Sequence, residues 1–389
     1  MFFKIEFWAV IVTAFTVLNL LGASASLRAA ILAVTGLVGL VLALEMSAVN
    51  FAVLAVSIGA VMLGAFFLSK GRARFGMALL AVAPLGIAWI LGKAASVLNM
   101  AHAAPLLFVG ISYILVKAWS LLKDISDGKI EVISPIEMVA YFLHLPTFIL
   151  GPMHQFTEFK ASLDTPYKID AERAIDCAFR FSLGLFKVYV LAGLLAPLSL
   201  VGLVGSDNIT FSQLIPAAFV YSLVLYFDFS GYCDMAISTS RILGIDVPEN
   251  FNWPYLASSI RDFWRRWHIT FSRALTAHIF MPLARMLTSR FPKAPAWNAS
   301  IGYIITFSLC GYWHGATANF ILWGLWHAFG LITHDQYLRS LRARKKLVIG
   351  IKPLGRRAFD TALVFSFVSM GWIFFVLPIE DLAKIGGLG

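Results

Sequence analysis

Residues 49–68 read VNFAVLAVSIGAVMLGAFFL, a run without a single acidic or basic side chain. An α-helix rises about 1.5 Å per residue, so a helix of this length crosses the roughly 30 Å hydrocarbon core of a bilayer. Over all 389 residues, 59% of the side chains are hydrophobic and 13% are charged. Soluble domains are nearer half apolar and about a quarter charged. The sequence therefore predicts an all-α, polytopic membrane protein.

Other apolar stretches surround this run, and several are too short to cross a bilayer unaided. They are 7–21, 29–44, 75–92, 104–122, 136–153, 177–204, 211–232, 275–289, 299–313, 316–333 and 358–378. We expect ten to twelve membrane helices, some of them broken or partial, in a single integral membrane domain over 1–389. Gly311, His314 and Gly315 divide the run 299–333, so part of it is expected to be re-entrant. The first run is expected to be an uncleaved helix rather than a signal peptide.

The charge balance bears on topology. The chain has 31 basic and 21 acidic residues, a net charge of +10. Loops that stay in the cytoplasm are enriched in Lys and Arg, so two basic loops are expected to be cytoplasmic. They contain Lys70, Arg72 and Arg74, and then Arg339, Arg342, Arg344, Lys345, Lys346, Lys352, Arg356 and Arg357. Topology explains the excess better than nucleic-acid binding; docking of an acidic carrier or of anionic lipid heads stays open for the second loop.

Two carboxylates lie in an aromatic-rich apolar segment, Tyr226-Phe-Asp-Phe-Ser-Gly-Tyr-Cys-Asp-Met235. Charged groups inside membrane helices are costly and are therefore candidates for function. Asp228 and Asp234 are six residues apart, about 240° around a helix, so they do not share one face. We expect each to hold a separate partner, such as an arginine of the next segment. A structural ion pair between helices is the alternative.

The next segment, residues 259–272, is basic and rich in tryptophan. Arg261, Arg265, His268 and Ser272 recur with the spacing of one helix face, and Asp262 and Arg266 are placed for an i, i+4 ion pair. The pattern predicts one amphipathic helix at an interface or at the mouth of a polar tunnel. An interfacial anchor explains the tryptophans and arginines, but it does not explain His268.

A third segment, residues 310–320, places His314 between Trp313 and Gly315 in the middle of a hydrophobic stretch. Gly315 allows either a helix break or a close approach to a ligand. Asn319 and His327 follow, and His327, Trp323 and His334 share one helical stripe. A lone membrane histidine is usually structural. Two histidines in neighbouring broken segments make a catalytic role as well supported as a structural one.

The sequence lacks the motifs of several common kinds of catalytic site. The sequence contains no H-E-x-x-H, no phosphate-binding P-loop and no G-x-S-x-G nucleophile elbow. Its three cysteines, Cys177, Cys233 and Cys310, form no C-x-x-C pair, so neither a disulfide framework nor a metal site is predicted. A histidine without a resident nucleophile suits general-base activation of a bound hydroxyl.

The segments Tyr226–Met235, Arg261-Asp-Phe-Trp-Arg-Arg-Trp-His268 and Trp313-His-Gly-Ala316 resemble the membrane-bound O-acyltransferase (MBOAT) family. The similarity is greatest to the branch that contains alginate O-acetyltransferases and D-alanyl-transfer proteins. Gly110-Ile-Ser-Tyr113 and Gly151-Pro-Met153 also look like blocks of that branch. The resemblance covers roughly residues 105–335. This sequence departs from the family at residues 151–156, where its relatives carry a different continuation. At the C-terminus it is short beside the alginate enzymes. These two departures leave the acceptor and the partner proteins open.

The resemblance implies a ring of tilted helices around a central tunnel, with 1–104 as N-terminal helices, 105–335 as the catalytic core and 336–389 as a basic cytoplasmic loop and a last helix. It implies that His314 is the essential histidine and that His268 occupies its partner position. In the expected mechanism His314 deprotonates an acceptor hydroxyl and His268, in its protonated form, stabilises the oxyanion. Further substrate-binding residues are expected at Asp228, Asp234, Arg265, Trp267, Trp313, Asn319 and His327.

The predicted function is transfer of an acyl group, expected to be acetyl, to a hydroxyl of a cell-surface polysaccharide at the inner membrane of a bacterium. The donor is expected to be a thioester, acetyl-CoA or an acyl carrier protein, on the cytoplasmic side, with no bound cofactor or metal. The acceptor arrives from the other side, directly or through an extracytoplasmic partner protein. D-alanyl transfer toward teichoic acid is the alternative. A transporter or flippase is the alternative from a different functional class. The sequence shows no internal repeat, which disfavours this alternative.

Overall fold

The structure, a computed structural model, describes residues 2, 4–21, 24–97, 110–131, 134–206, 209–343 and 354–383. These residues are mostly helical, and no β-strand ladder occurs among them. The chain divides into two compact units. The first unit comprises Met1–Leu185 and Tyr232–Glu249, and the second comprises Phe186–Gly231 and Asn250–Gly389. The expected all-α architecture is confirmed.

Nine α-helices of the described residues lie wholly in the first unit. They are α1 (Ile5–Leu21), α2 (Ala25–Leu42), α3 (Ala48–Ser69), α4 (Phe75–Ala78), α5 (Ala83–Val97), α6 (Ile111–Ser126), α7 (Pro135–Phe142), α8 (Phe156–Asp164) and α9 (Ala171–Leu185). A long helix, α11 (Phe211–Ile242), begins in the second unit and ends in the first.

The second unit contains the remaining helices. They are α10 (Gly193–Leu195), α12 (Ile260–Arg266), α13 (Ile269–Leu275), α14 (Met281–Arg290), α15 (Pro295–His314), α16 (Ala318–Ala343), α17 (Leu354–Val376) and α18 (Ile379–Ala383). Two π-helical segments, Phe186–Ala192 and Thr276–Phe280, continue α9 and α13.

Six helical stretches of the described residues are long and apolar enough to cross a membrane. They are Ala25–Leu42, Ala48–Ser69, Phe75–Lys93, Ala171–Leu198, Phe211–Ile242 and Gly355–Val376. The protein is therefore a multi-pass membrane protein, as expected from 49–68, which lies inside α3. The expected total of ten to twelve membrane helices stays a prediction, as do the ring and the tunnel.

One of the apolar stretches is broken, as was expected of some of them. Residues 136–153 do not form a single helix, because α7 ends at Phe142 and is followed by a 3-10 turn over Leu145–Thr147. Pro146 accounts for the break, since proline has no N–H and its ring would clash with the Phe142 carbonyl in a continued helix, and Gly151, at a φ of +136°, departs from helical geometry further on. The helix therefore ends before it is long enough to cross a bilayer.

In the first unit, α2 and α7 pack closely. A Cβ atom on Gly36 would lie 2.3 Å from the Leu143 carbonyl oxygen, and one on Gly39 would lie 2.3 Å from the Leu145 side chain. The buried guanidinium of Arg28 donates hydrogen bonds to the carbonyl oxygens of Leu163, Thr165 and Gly244. The charged group therefore satisfies backbone acceptors in the core of this unit.

In the second unit, α15 and α16 form a tightly packed antiparallel hairpin. A Cβ atom on Gly311 would meet the Phe320 carbonyl oxygen at 2.2 Å, and one on Gly324 would meet the Phe307 carbonyl oxygen at 2.1 Å. Residues 315–317 separate the two helices, so the break expected in 299–333 is present. It places His314 at the last position of α15.

The first basic loop lies between two helices, whereas the described basic residues of the second, Arg339, Arg342, Arg356 and Arg357, belong to the last turns of α16 and the first turn of α17. Lys70, Arg72 and Arg74 are exposed between α3 and α4. In the second basic loop, Arg344, Lys345, Lys346 and Lys352 lie outside the described residues. The cytoplasmic side assigned to both loops stays a prediction.

Candidate active site

His268 lies at a break between two short helices, and the continuous helix expected over 261–272 is wrong. α12 ends at Arg266, Trp267 is extended and α13 begins at Ile269. His268 adopts φ +43° and ψ +53°, a left-handed conformation that costs a side chain such as histidine about 1–3 kcal/mol. The i, i+4 ion pair expected between Asp262 and Arg266 is confirmed, since Arg266 Nε lies 3.0 Å from Asp262 Oδ1.

Hydrogen bonds from a distant residue stabilise this break. The backbone carbonyl of Asn250 accepts a hydrogen bond from the Ile269 amide at 2.9 Å. Its side-chain oxygen accepts from the Thr270 amide at 3.2 Å and from the Thr270 hydroxyl at 2.9 Å. His268 Nδ1 lies 3.2 Å from the same oxygen. Asn250 and His268 are both buried, so these bonds fix the ring of His268 in one place.

His314 occupies the last position of α15, beside Gly315. A Cβ atom on Gly315 would lie 2.0 Å from the ring of Phe320, so only glycine leaves room for that ring. Phe320 packs on Phe375, and the Phe375 ring contacts His314 at a centroid distance of 5.0 Å. The glycine that was expected to break the helix therefore also shapes the surroundings of the histidine.

His268 and His314 share two aromatic neighbours. The Trp313 ring centroid lies 6.4 Å from that of His268 and 4.7 Å from that of His314. The Phe271 centroid lies 5.0 Å from His268 and 6.5 Å from His314, and Phe271 and Trp313 stack on each other at 4.3 Å. The structure thus brings together two histidines that the sequence separates by 46 positions.

A third histidine adjoins this pair through Trp323. The Trp323 centroid lies 5.0 Å from His314 and 4.9 Å from His327. His327 is completely buried, and neither of its ring nitrogens has a hydrogen-bond partner. Trp264 packs against it at 5.0 Å. His327 is therefore next to the first two histidines and is enclosed by aromatic side chains.

The other predicted site residues of this unit differ in accessibility. Arg265 is exposed and forms no ion pair with the described residues, while Asp228 is half-buried on α11. Trp267 is buried and contacts Phe251 and Trp372. Asn319 is buried and donates a hydrogen bond to the Phe374 carbonyl at 3.2 Å. Only Arg265, Asp228, Trp313 and His314 retain appreciable exposed surface.

Asp234 belongs to the other unit, and its partner corrects an expectation. Arg180 of α9 donates from Nε to Asp234 at 3.0 Å and binds the Glu249 carboxylate through two bonds of 2.6 Å. The arginine thus comes from an earlier helix and not from the segment that follows α11. Local sequence order did not predict the pair because it joins residues 54 positions apart.

Asn250 is the site residue that sequence reasoning missed. It lies 18 positions before His268 in the loop Pro248-Glu-Asn-Phe-Asn252, and no periodicity links it to the histidine. Its only sequence signal is an amide side chain in a segment that precedes an apolar, tryptophan-rich one. Among the described residues, no three His, Cys, Asp or Glu side chains cluster as metal ligands.

Comparisons with known proteins give a consistent result. A profile of the membrane-bound O-acyltransferase family matches residues 75–370. A teichoic acid D-alanyltransferase from Streptococcus thermophilus is 30% identical over 71% of this chain and 69% of its own length. A peptidoglycan O-acetyltransferase from Helicobacter pylori is 38% identical over 51% of this chain and 35% of its own length.

A probable alginate O-acetylase from Azotobacter vinelandii is 32% identical over 72% of this chain and 52% of its own length. The chain thus spans about half, or less, of the length of the last two relatives. All three matches extend the similarity seen in the short motifs to long alignments.

Proposed function

The chain belongs to the membrane-bound O-acyltransferase family, and from this premise we propose that it transfers an acyl group to a hydroxyl of a cell-envelope polysaccharide at the inner membrane of a bacterium. The observation that supports this reaction most directly is the pair His268 and His314 against one shared aromatic surface. The pair provides two proton-exchanging groups, and the acceptor hydroxyl supplies the nucleophile.

In the proposed reaction, His314 accepts the proton of the acceptor hydroxyl. The oxygen attacks the carbonyl carbon of a thioester donor, a C–O bond forms and the C–S bond breaks. The proton returns from His314 to the departing thiolate, so the histidine ends the cycle unchanged. General-base catalysis of this kind is worth roughly 10² to 10⁴ in rate.

His268 is proposed to stabilise the oxyanion that develops on the carbonyl oxygen. Of the other predicted site residues, Arg265, Asp228 and Trp313 have exposed surface and are proposed to contact the substrates. Trp267, Asn319 and His327 are buried and are proposed to shape the site from behind. Asp234 is proposed to act through its ion pair with Arg180.

We propose acetyl-CoA or an acetylated carrier as donor on the cytoplasmic side, because two of the three relatives are named for O-acetyl transfer. D-alanyl transfer from a carrier protein is the second candidate. It is favoured by the Streptococcus thermophilus relative, whose alignment covers 71% of this chain. Membership of an acyltransferase family disfavours the transporter reading.

The test is complementation of a strain that lacks the gene, with surface polymers analysed by mass spectrometry. Wild-type protein should restore an acetyl or a D-alanyl mass, and which mass returns decides between the donors. His314→Ala should restore neither. His334→Ala, a matched change on α16 outside the aromatic cluster, should restore the modification.

Two results would contradict the proposal. Modification by His314→Ala at the wild-type level would remove His314 from the role of base. An unchanged set of surface polymers on deletion of the gene would contradict acyl transfer to the envelope. Detection of the variants in the membrane fraction shows that a negative result reflects chemistry rather than loss of the protein.

A further inference from the structure

The amide of Asn250 can be oriented without ambiguity. Oxygen and nitrogen of an asparagine amide are usually assigned from their hydrogen bonds. Here the atom that faces Thr270 receives the Thr270 backbone N–H at 3.2 Å, and a backbone N–H is always a donor. That atom must therefore be the carbonyl oxygen. The same oxygen lies 3.2 Å from His268 Nδ1.

This orientation determines where His268 carries its proton. A carbonyl oxygen only accepts hydrogen bonds, so Nδ1 must be the donor. A neutral imidazole has one protonated nitrogen, which leaves Nε2 with a free lone pair. Nε2 is buried and has no hydrogen-bond partner. The ring thus presents an unoccupied acceptor atom on the side away from Asn250.

We propose that Asn250 is a positioning residue that holds His268 in its Nδ1–H tautomer, so that Nε2 is the only ring atom that exchanges a proton at the site. This inference rests on the proposed acyl transfer for its meaning in catalysis. It restricts the role of His268: Nε2 can donate to an oxyanion only after it has gained a proton, and in the neutral ring it accepts.

Three features show that the contact is more than packing. The left-handed backbone of His268 is strained, and the three bonds from Ile269 and Thr270 to Asn250 stabilise it. Phe229 packs edge-on to the ring at a centroid distance of 4.7 Å, which limits its rotation. The ring therefore cannot flip to exchange its nitrogens without losing the bond to Asn250.

The direct test is NMR of the detergent-solubilised protein labelled with ¹⁵N-histidine. The His268 signals are identified by their loss in His268→Gln, and the pH is raised until one ring nitrogen is unprotonated. The expected result is a protonated Nδ1 and an unprotonated Nε2. An unprotonated Nδ1 in the wild-type protein would overturn the proposal, whatever the activity of the enzyme.

Variants of Asn250 provide the second test. Asn250→Asp keeps a side-chain oxygen that can accept the bonds from His268 Nδ1, the Thr270 amide and the Thr270 hydroxyl. The tautomer and most of the turnover should therefore remain. Asn250→Leu is close in size but accepts nothing. It should show both tautomers of His268 and should lower kcat by about 10²-fold, the order of one acid–base contribution.

The matched control is Thr270→Val, which removes one bond to the same oxygen and leaves the bond to His268. It should keep the Nδ1–H tautomer and stay within a few-fold of wild-type turnover. Equal loss of activity in Asn250→Asp and Asn250→Leu, or an unchanged tautomer in Asn250→Leu, would overturn the positioning role. A wild-type protein that lacks acyl transfer but shows the Nδ1–H tautomer would refute the proposed function alone.

Discussion

Arg261 and Asp335 form an ion pair of 3.1 Å that joins the start of α12 to the C-terminal half of α16. α12 leads directly into the strained His268, and α16 carries His327. Arg339 binds the second oxygen of the same carboxylate at 2.8 Å. Two arginines therefore share one partly buried acid, and the short helix before His268 is anchored at its first turn.

Replacement of Asp335 by Asn should destabilise the second unit. Both arginines lose their charge partner, and Arg261 is itself only partly exposed. We expect a loss of about 1 kcal/mol in unfolding free energy, since partly exposed pairs rarely contribute more. Thermal unfolding in detergent measures it, with Asp164→Asn, at an exposed pair, as control. A loss no larger than that of the control would contradict an anchoring role.

The same pair predicts a dependence on pH. Burial alone would raise the pKa of Asp335, but the bonds and charges of Arg339 and then of Arg261 outweigh it and lower that pKa. The folded state thus binds the proton less tightly than the unfolded chain. The stabilisation is complete above the unfolded pKa of about 3.9 and is lost as the pH falls through the lower, folded value. Unfolding midpoints between neutral and acidic pH should therefore converge for wild type and Asp335→Asn.

The sequence predicted the parts of this fold that depend on local chemistry. The apolar run 49–68 specifies a membrane helix by itself, and Gly315 specifies the end of α15. The break at His268 could not be predicted in this way. Residues 261–272 keep helical spacing and contain neither glycine nor proline. The helix breaks there because Asn250, far away in sequence, binds the backbone and side-chain donors of Ile269, Thr270 and His268.

The candidate site shows the same division. His268 and His314 were identifiable because ionisable groups are costly in apolar surroundings. Their partners were not identifiable, because tertiary packing selects them from residues that carry no local signal. The pairs Arg180 with Asp234 and Asn250 with His268 form only in the folded chain. For Asp234 the arginine comes from α9 and not from the segment after α11, and the structural ion pair between helices that was left as the alternative is present.

Substitution of Gly315 by Ala should disturb His314 through Phe320. The new methyl group would lie 2.0 Å from the Phe320 ring, which would have to move against Phe375. Overpacking of this kind costs about 1–3 kcal/mol. We expect reduced acyl transfer, and partial recovery when Phe320→Ala is added to make room.

The control for that experiment is Gly59→Ala on α3, where an added Cβ would meet nothing within 4 Å. It should leave activity unchanged, and helix propensity favours alanine there by up to about 1 kcal/mol. If Gly315→Ala behaves like Gly59→Ala, the contact with Phe320 has no influence on the site.

Arg28 should not tolerate lysine. Its guanidinium reaches three carbonyl oxygens, two of them through one nitrogen, and a lysine ammonium on a different stem cannot reproduce this geometry. Each buried carbonyl left without a donor costs about 1–3 kcal/mol. We expect a lower thermal midpoint for Arg28→Lys. Arg173→Lys, at an exposed ion pair with Asp246, should change the midpoint little. Equal midpoints for the two variants would contradict the role assigned to Arg28.

A variant of His327 can separate a packing role of this residue from a functional role. Its ring is completely buried among aromatic side chains, and neither nitrogen has a hydrogen-bond partner. A phenylalanine would fill the same space without the two unpaired polar atoms, so His327→Phe should raise the unfolding free energy by about 1–3 kcal/mol. We expect acyl transfer to fall at the same time, because His327 packs against Trp323, and Trp323 packs against His314.

A gain in stability together with a loss of activity would identify His327 as a functional group held at a cost to the fold. The matched control is His334→Phe on the same helix, which is partly exposed and should change neither quantity much. Thermal unfolding and acyl transfer are measured on the same preparations. Full activity in a stabilised His327→Phe protein would show that the histidine only fills space beside Trp323, and it would remove His327 from the proposed site while leaving His268 and His314 in it.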